Sequence, residues 1–488
     1  MKRAKLCVTV TGDTTAELRA RRDLVLDADL VELRLDTVKD PSVAGALAGR
    51  RKPVIVTCRA RSEGGHFTGS EEERCAILKD ALAKGAEYVD VEWNSTAASL
   101  LGETGGRRLI LSSHDFQGMP GDLRALAQAM LSSGAEVVKI AATAQRLSDC
   151  LTLREIGRNT RVPVALIAMG DAGIPSRVLA SWMGSCWTYA GDGVAPGQLS
   201  HRRMLDEFGF HRIGARTAIY GVVGKPVMHS VSPSMHNAAF RAAHFDAVYL
   251  PLAAADFDDF LAFANAAPLA GASVTAPFKV EAFEQADECD PVTRRIQSVN
   301  TLRRDAGRWL GFNTDVTGFL APLESAVRVR GMRATILGSG GAARSVSIAL
   351  ASAGAHVTIA ARRQDQAQTV ATLTGAAVTQ WPPDPASWDL LVNATPVGTA
   401  PSHRLSPLPD DYLFHGGGLV YDLVYNPPQT RLLADAMRAG CRTIGGLDML
   451  VAQAQAQFEW WTGQRPADRV MRDAALARLR PATEGLKQ

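Results

Sequence analysis

Short runs of β-branched and other apolar residues recur along the first part of the chain, separated by stretches whose apolar residues fall at helical spacing. Such alternation predicts repeated βα units and a parallel sheet. The runs place strands at Lys5 to Val10, Leu30 to Leu35, Pro53 to Arg59, Tyr88 to Trp93, Arg108 to His114, Val137 to Ala142, Pro163 to Met169 and Trp187 to Gly191. Eight strands in roughly 200 residues predict a compact (β/α)8 barrel, with an open doubly wound sheet as the alternative that strand counting leaves standing.

The placement of polar residues favours the barrel, because catalytic groups in that fold gather at the C-terminal ends of the strands. Glu32 and Arg34 lie in the second run, Arg59 ends the third, His114 the fifth and Met169 the seventh, and Lys139 falls late in the sixth, V-V-K-I-A-A. A lysine in such a run is either a solvated charge on an irregular strand or a buried amine whose pKa is depressed enough to make it a nucleophile. Cationic neighbours such as Arg34, Arg59 and Arg177 would push it towards the attacking form, and the expected chemistry is imine formation with a ketone. His114 is either a satisfied core histidine or the proton shuttle beside that amine. Glu32 is either the partner of Arg34 in a surface pair or the carboxylate that orients His114. Three arginines without matching acids predict an anionic substrate, with Arg177 in I-P-S-R the best candidate for a bidentate carboxylate grip.

After a helix and glycine-bearing connector between Leu199 and Ala215, T-A-I-Y-G-V-V-G reads as a new strand, followed by a loop that enters a helix near Pro233. Ser230 and Ser232 alternate around Val231, so two hydroxyls could face one way; a plain helix cap is the other reading. His229 and His236 make a weak metal pair, with no adjacent acidic or cysteine ligand. Lys279, in S-V-T-A-P-F-K, is unremarkable alone, but Asn300 and Asp315 supply partners for an acid catalyst. Next comes A-T-I-L-G-S-G-G-A-A-R, a strand, a glycine turn and a small-residue helix whose N-terminus can receive a pyrophosphate. Gly338, Gly340, Gly341, Ala342 and Ala343 form that turn, Ala343 taking the third glycine position. The following strand ends at Arg362 and Arg363, where an NAD site usually carries an acid; two guanidiniums there favour a 2′-phosphate and hence NADP, with plain surface charge as the alternative.

Composition narrows these readings. At 488 residues the chain exceeds what one core usually organises. With Lys+Arg 53 against Asp+Glu 50 and no long block of like charge, nucleic acid is a poor candidate partner. The cysteines, 7 and scattered without a C-x-x-C pair, argue against a disulfide framework or zinc site and for a reducing cytoplasm. The first residues read as neither a secretory signal nor a membrane span, and no membrane partner is expected.

Resemblance adds what spacing leaves open. E-L-R (Glu32 to Arg34), T-C-R with E-G-G (Thr57 to Gly65), S-S-H-D-F (Ser112 to Phe116), V-K-I (Val138 to Ile140), I-P-S-R (Ile174 to Arg177) and A-P-G-Q (Ala195 to Gln198) together resemble type I 3-dehydroquinate dehydratase. The resemblance implies that Lys139 forms an imine with the C3 ketone of 3-dehydroquinate and that His114 removes a C2 proton, with Glu32 as its orienting partner. It implies that Arg34, Arg59, Glu63, Arg177 and Gln198 hold the substrate's polar groups while Met169 packs on its ring. Val194 and Ile167 depart from residues common in that family.

The remainder is similar to shikimate dehydrogenase, through S-V-T-A-P-F-K, V-N-A-T-P-V-G (Val392 to Gly398), Y-D-L-V-Y-N-P-P-Q-T (Tyr421 to Thr430) and G-L-D-M-L-V-A-Q (Gly446 to Gln453). By that resemblance Lys279 and Asp315 are the catalytic pair, and Ser230, Ser232, Thr275, Asn300, Tyr425 and Gln453 bind substrate. Asn393 and Thr395 join the glycine loop at the cofactor. Ser273 stands where single-enzyme forms have asparagine and is similar to the fused plant-type enzyme, whose domain order this chain shares.

The expectation is an α/β protein. A (β/α)8 barrel over 1–212 precedes a substrate-binding domain over 213–315, to which 449–488 returns, and a Rossmann-type NADP domain over 316–448. The expected function is conversion of 3-dehydroquinate to shikimate with NADPH and no metal, by a cytoplasmic monomer or weak homo-oligomer. The alternatives are a catabolic quinate or shikimate dehydrogenase using NAD, or one half serving as a non-catalytic binding module.

Overall fold

The computed structural model describes residues 3–193 and 195–480. The chain divides into two compact units, one of residues 1–229 and 246–269, the other of residues 230–245 and 270–488. Val194 and the terminal segment 481–488, expected from the sequence to be a frayed end, lie outside the described residues.

In the first unit the expected strands form as β1 (Lys5–Val10), β2 (Leu30–Arg34), β3 (Val54–Thr57), β4 (Tyr88–Glu92), β5 (Leu109–Asp115), β6 (Val137–Thr143), β7 (Val164–Met169) and β8 (Trp187–Ala190). They lie in the order β7-β6-β5-β4-β3-β2-β1-β8. The two ends of that order approach where the Cys186 N–H donates to the Val164 carbonyl at 2.7 Å, which brings the sheet towards closure as a barrel.

Residues two apart on a strand share a face, and this alternation builds the interior in rungs. Near the N-terminal ends, Cys7, Leu30, Ile55, Ile110, Val137, Ala165 and Trp187 belong to one buried apolar cluster. Two residues further along come Thr9, Glu32, Thr57, Asp90, Ser112 and Lys139, all buried. Arg34, Arg59, Glu92, His114 and Met169 follow at the C-terminal ends. The opposite faces, with Val31, Leu33, Val54, Val56, Val89 and Val91, pack with Leu18, Ala46, Leu78 and Ala81 of the surrounding helices. The apolar floor and polar upper rungs therefore follow from period-two patterning alone.

The same unit contains the parallel pair β9 (Ala218–Val223) and β10 (Ala247–Leu252), in register from Ala218 opposite Ala247 to Val223 opposite Leu252, and the helix Phe257–Ala266.

The second unit opens with the helix Ser232–Ala242 and has β11 (Leu269–Val274) antiparallel to β13 (Thr301–Asp305), which makes a hairpin with β14 (Arg308–Phe312); β12 (Glu288–Cys289) runs parallel to β14. A parallel sheet follows, made of β15 (Arg333–Leu337), β16 (His356–Ala360), β17 (Ala377–Thr379), β18 (Leu390–Asn393), β19 (Leu419–Asp422) and β20 (Arg442–Ile444). Its order, β17-β16-β15-β18-β19-β20, is the doubly wound dinucleotide-binding arrangement, whose order reverses between β15 and β18. Ile336, Leu337, Leu391 and Val392 are fully buried, as expected of strands covered by helices on both faces. The last described helix is Asp468–Leu479.

Candidate active sites

The upper rungs of the barrel surround a cavity lined among others by Glu32, Arg34, Arg59, Glu63, His114, Lys139, Met169, Arg177 and Gln198. The structure thus brings every expected residue of the first site to one mouth. Lys139 is only 5% exposed, and its Nζ lies 3.0 Å from Asp90 Oδ2, 3.5 Å from Glu32 Oε1 and 4.2 Å from the centre of the Tyr189 ring. Its nearest charges are therefore carboxylates. The expected arginines do share its cavity, but two of them carry their own acids: Arg59 is taken up by Asp90 at 2.8 Å and Glu92 at 3.2 Å, and Arg34 by a bidentate pair with Asp36.

These pairings revise the expectation of three arginines without acids. Arg34 and Arg59 sit in buried ion pairs, and removing one partner of such a pair costs about 3–5 kcal/mol, so both arginines hold the site together whatever else they bind. Arg177 alone of the three meets the expectation. It is buried and donates to the carbonyls of Tyr189 at 3.4 Å and Pro196 at 3.2 Å, and its Nε has no partner among the described residues. Burial without a counter-charge pulls its guanidinium down to about 10, which marks it as the cation most in need of an anionic ligand.

The partner of His114 also differs from expectation. Its Nδ1 lies 2.9 Å from Glu63 Oε2, whereas Glu32 accepts from Thr9 Oγ1 at 2.8 Å and Thr57 Oγ1 at 2.9 Å and reaches towards Lys139. The reason is local. Glu32 is on the rung below, and Glu63 is carried over the mouth by the loop that follows β3. That loop passes so close to its own strand that a Cβ on Gly65 would stand 2.0 Å from the Arg59 carbonyl oxygen, which only glycine permits. Burial pushes the Glu63 carboxyl up to about 7, against the pull of Arg59. Burial, then Arg59 and Lys139, hold His114 well below the usual imidazole range, so its ring is neutral near pH 7. With Glu63 ionised, Nδ1 carries the proton and Nε2 remains an acceptor.

Asp90 and Glu92 were not among the expected site residues. Burial raises the Asp90 carboxyl, but Arg59 and Lys139 more than offset this and keep it ionised. Glu92 joins Arg59 to Arg74, which it meets at 2.6 Å. The signal was present in Y-V-D-V-E, where acids alternate with valines as Glu32 and Arg34 alternate with leucines.

At the second site Lys279 opens the helix Lys279–Glu284, and its Nζ is 2.6 Å from Asp315 Oδ2. Asn300 Nδ2 donates to the other Asp315 oxygen at 2.7 Å, while the Thr314 N–H donates to Asn300 Oδ1 at 2.8 Å and so fixes the amide's orientation. Gln453 Oε1 lies 3.4 Å from Asn300 Nδ2. Ser232 is buried in the first turn of its helix, with its N–H donating to Ser230 Oγ at 3.2 Å. Thr275 and Tyr425 are half-buried, and Ser273 donates to Gln457 Oε1 at 2.9 Å. His236 packs among Phe240 and Trp461, and no cluster of metal-ligating residues occurs among the described residues.

The glycine turn leaves β15 at Gly338, whose φ of +111° and close approach to Thr395 suit glycine, and the helix Gly341–Ser352 starts immediately after. The helix thus starts just beyond the end of β15, where the strand order reverses towards β18, and its first N–H groups have no partner within the helix. Thr395 N and Oγ1 both donate to Asn393 Oδ1, and Asn393 Nδ2 donates to buried Asp422 at 2.8 Å, so the end of β18 is fixed beside that turn. Arg362 and Arg363, just past β16, are exposed and paired with no carboxylate among the described residues.

A near-closed barrel around one buried lysine and a doubly wound dinucleotide fold, joined in series, define a two-enzyme chain. Sequence comparison agrees: the type I 3-dehydroquinase family matches residues 6–212, the shikimate dehydrogenase substrate-binding domain residues 222–302 and the shikimate 5′-dehydrogenase C-terminal domain residues 446–476. The chain is 35% identical, over 94% of its own length and 82% of the relative's, to the chloroplastic bifunctional 3-dehydroquinate dehydratase/shikimate dehydrogenase of Arabidopsis thaliana. It is 42% identical, over 54% of its length and 95% of the relative's, to the NADP(+) shikimate dehydrogenase of Moorella thermoacetica. A crystal structure of shikimate dehydrogenase in complex with NADP+ superposes with a TM-score of 0.53 at 33% identity, covering 55% of this chain and 98% of that one. The chain belongs to the bifunctional 3-dehydroquinate dehydratase/shikimate dehydrogenase family.

Proposed function

We propose that the barrel dehydrates 3-dehydroquinate through an imine on Lys139 and that the second enzyme reduces the resulting 3-dehydroshikimate to shikimate with NADPH. The single observation that carries the first half is the buried Lys139 amine sharing a cavity with the neutral His114–Glu63 pair and the uncompensated Arg177. Arg177 takes the substrate carboxylate, with Gln198 and Met169 on its ring. Lys139 then attacks the C3 ketone, and its departing protons have two carboxylates within 3.5 Å. Imine formation acidifies C2, whose proton passes to His114 Nε2. His114 returns it to the leaving C1 hydroxyl, and hydrolysis frees Lys139.

In the second site Ser230, Ser232, Thr275, Asn300, Tyr425 and Gln453 hold the substrate. Lys279 gives its proton to the C3 oxygen and Asp315 orients the ammonium. NADPH, when bound, supplies the hydride. Gly338, Gly340, Gly341, Ala342 and Ala343 would hold its pyrophosphate, with Asn393 and Thr395 beside that turn, and Arg362 and Arg363 would take the 2′-phosphate. No metal takes part in this reading. The proposed division is 1–212 for the dehydratase, 213–315 with 449–488 for substrate binding and 316–448 for the cofactor. The scattered cysteines, without a C-x-x-C pair, support a reducing compartment, and the reading places the chain in the cytoplasm as a monomer or weak homo-oligomer.

Supplying 3-dehydroquinate alone should accumulate 3-dehydroshikimate, and adding NADPH should convert it to shikimate with one NADPH consumed per molecule. Consumption of NADH in preference to NADPH, or no dehydration, contradicts the reading.

A further inference from the structure

The loop after β6, which carries Lys139, is held by a residue from far along the chain. Asp259 lies in the first turn of the helix Phe257–Ala266, in a segment that the dehydrogenase substrate-binding family spans by sequence but that belongs to the compact unit of the barrel. Its side chain is wholly buried. One carboxylate oxygen accepts the N–H groups of Leu147 at 2.8 Å and Ala255 at 3.0 Å, and the other accepts the N–H of Ser148 at 2.9 Å. Burial pushes this carboxyl up, but the Ser148 side chain and these amides pull it below the ordinary range, so an ionised acceptor receives charge-assisted bonds. Arg146 adds a bond to Asp256 at 3.0 Å, and Trp182 meets Phe263 edge-on at 6.0 Å.

The other side of the same loop is tied to the active-site strands. The Ala144 N–H donates to the Met169 carbonyl at 3.0 Å, Thr143 Oγ1 to the Asp115 carbonyl at 3.2 Å, and Gln145 Nε2 to the Gln117 carbonyl at 3.3 Å. The ends of β5 and β7, bearing His114 and Met169, thus share one anchored segment with the end of β6, whose third residue is Lys139.

We infer that Asp259 is a positioning residue for the dehydratase reaction, fixing the loop after β6 and through it the mutual placement of Lys139, His114 and Met169. This inference rests on the assignment of the barrel as a dehydratase. A dehydratase of this chain is therefore incomplete without residues outside its own family segment.

The test uses the full chain with Asp259→Ala and Asp259→Asn. In Asp259→Ala, kcat for 3-dehydroquinate should fall about tenfold or more, with a smaller change in KM, since slight misplacement far from the chemistry costs that much. Shikimate oxidation by the same preparation should stay within about twofold, showing the chain folded, and exchange of the Leu147 and Ser148 amides should speed up about tenfold. Asp259→Asn, which keeps one acceptor oxygen, should fall between. An unchanged dehydratase kcat despite faster exchange, or a parallel fall of both activities, overturns the inference. Absence of dehydration in the unaltered chain instead refutes the barrel assignment on which it rests.

Discussion

His114 Nδ1 lies 2.9 Å from Glu63 Oε2, and this contact assigns different work to the two glutamates at the barrel mouth. Glu63 sets the tautomer of the histidine. Glu32, bonded to Thr9 and Thr57, faces the lysine.

The acid limb of the dehydratase pH profile belongs to that dyad. His114 is held well below 6.5 and Glu63 raised to about 7, so kcat/KM should rise as pH rises through about 7, when Glu63 ionises and strengthens Nε2 as a base. Glu63→Gln should lose this limb and lower kcat by about a hundredfold. A retained limb assigns the titration elsewhere. The same shift has a sign for stability: the folded pKa exceeds the ordinary 4.5, so the contribution of Glu63 is fully present below 4.5 and is lost as pH rises through 7. Glu63→Gln should therefore flatten the decline in melting temperature over that window.

Glu32→Gln provides the contrast. It should lower kcat by weakening the setting of Lys139 while leaving the limb near pH 7 in place. Loss of that limb would restore Glu32 as the partner of His114.

For the second site, Lys279→Ala should reduce kcat for 3-dehydroshikimate by about 10²–10⁴-fold with KM changed only a few fold, since proton delivery is realised in the transition state. Dehydration measured on the same sample should be unaffected. A rise in KM with kcat preserved would make Lys279 a binding residue only.

The barrel and the doubly wound sheet were readable in the sequence because each depends on local period and punctuation. Every barrel strand begins and ends within a couple of residues of its expected limits, as in β1 at Lys5–Val10. Lys139, His114, Lys279 and Asp315 were readable from strand position and motif. The pairings were not. Which acid meets His114 depends on how the loop after β3 doubles back at Gly65, and which acids meet Arg59 depends on β4 lying beside β3. Asp90 and Glu92 were legible as inward positions, and their partners became evident only with strand neighbours known. Asp259 carries no local signal of this role, since the loop amides it holds, Leu147 and Ser148, lie more than a hundred residues away.

Cofactor choice rests on Arg362 and Arg363. Replacing both with alanine should lower kcat/KM for NADPH by about 10- to 100-fold, the loss of one or two hydrogen bonds to a charged group, and leave NADH within about twofold. An equal loss for both nucleotides would place the arginines outside the 2′-phosphate site.

The central claim is the covalent role of Lys139, and it is tested most directly by borohydride reduction in the presence of 3-dehydroquinate followed by peptide mass mapping. A single stable adduct on the peptide containing Lys139, absent from Lys139→Ala, is the predicted result. An adduct on another lysine, or dehydration that proceeds undiminished in Lys139→Ala, would contradict it.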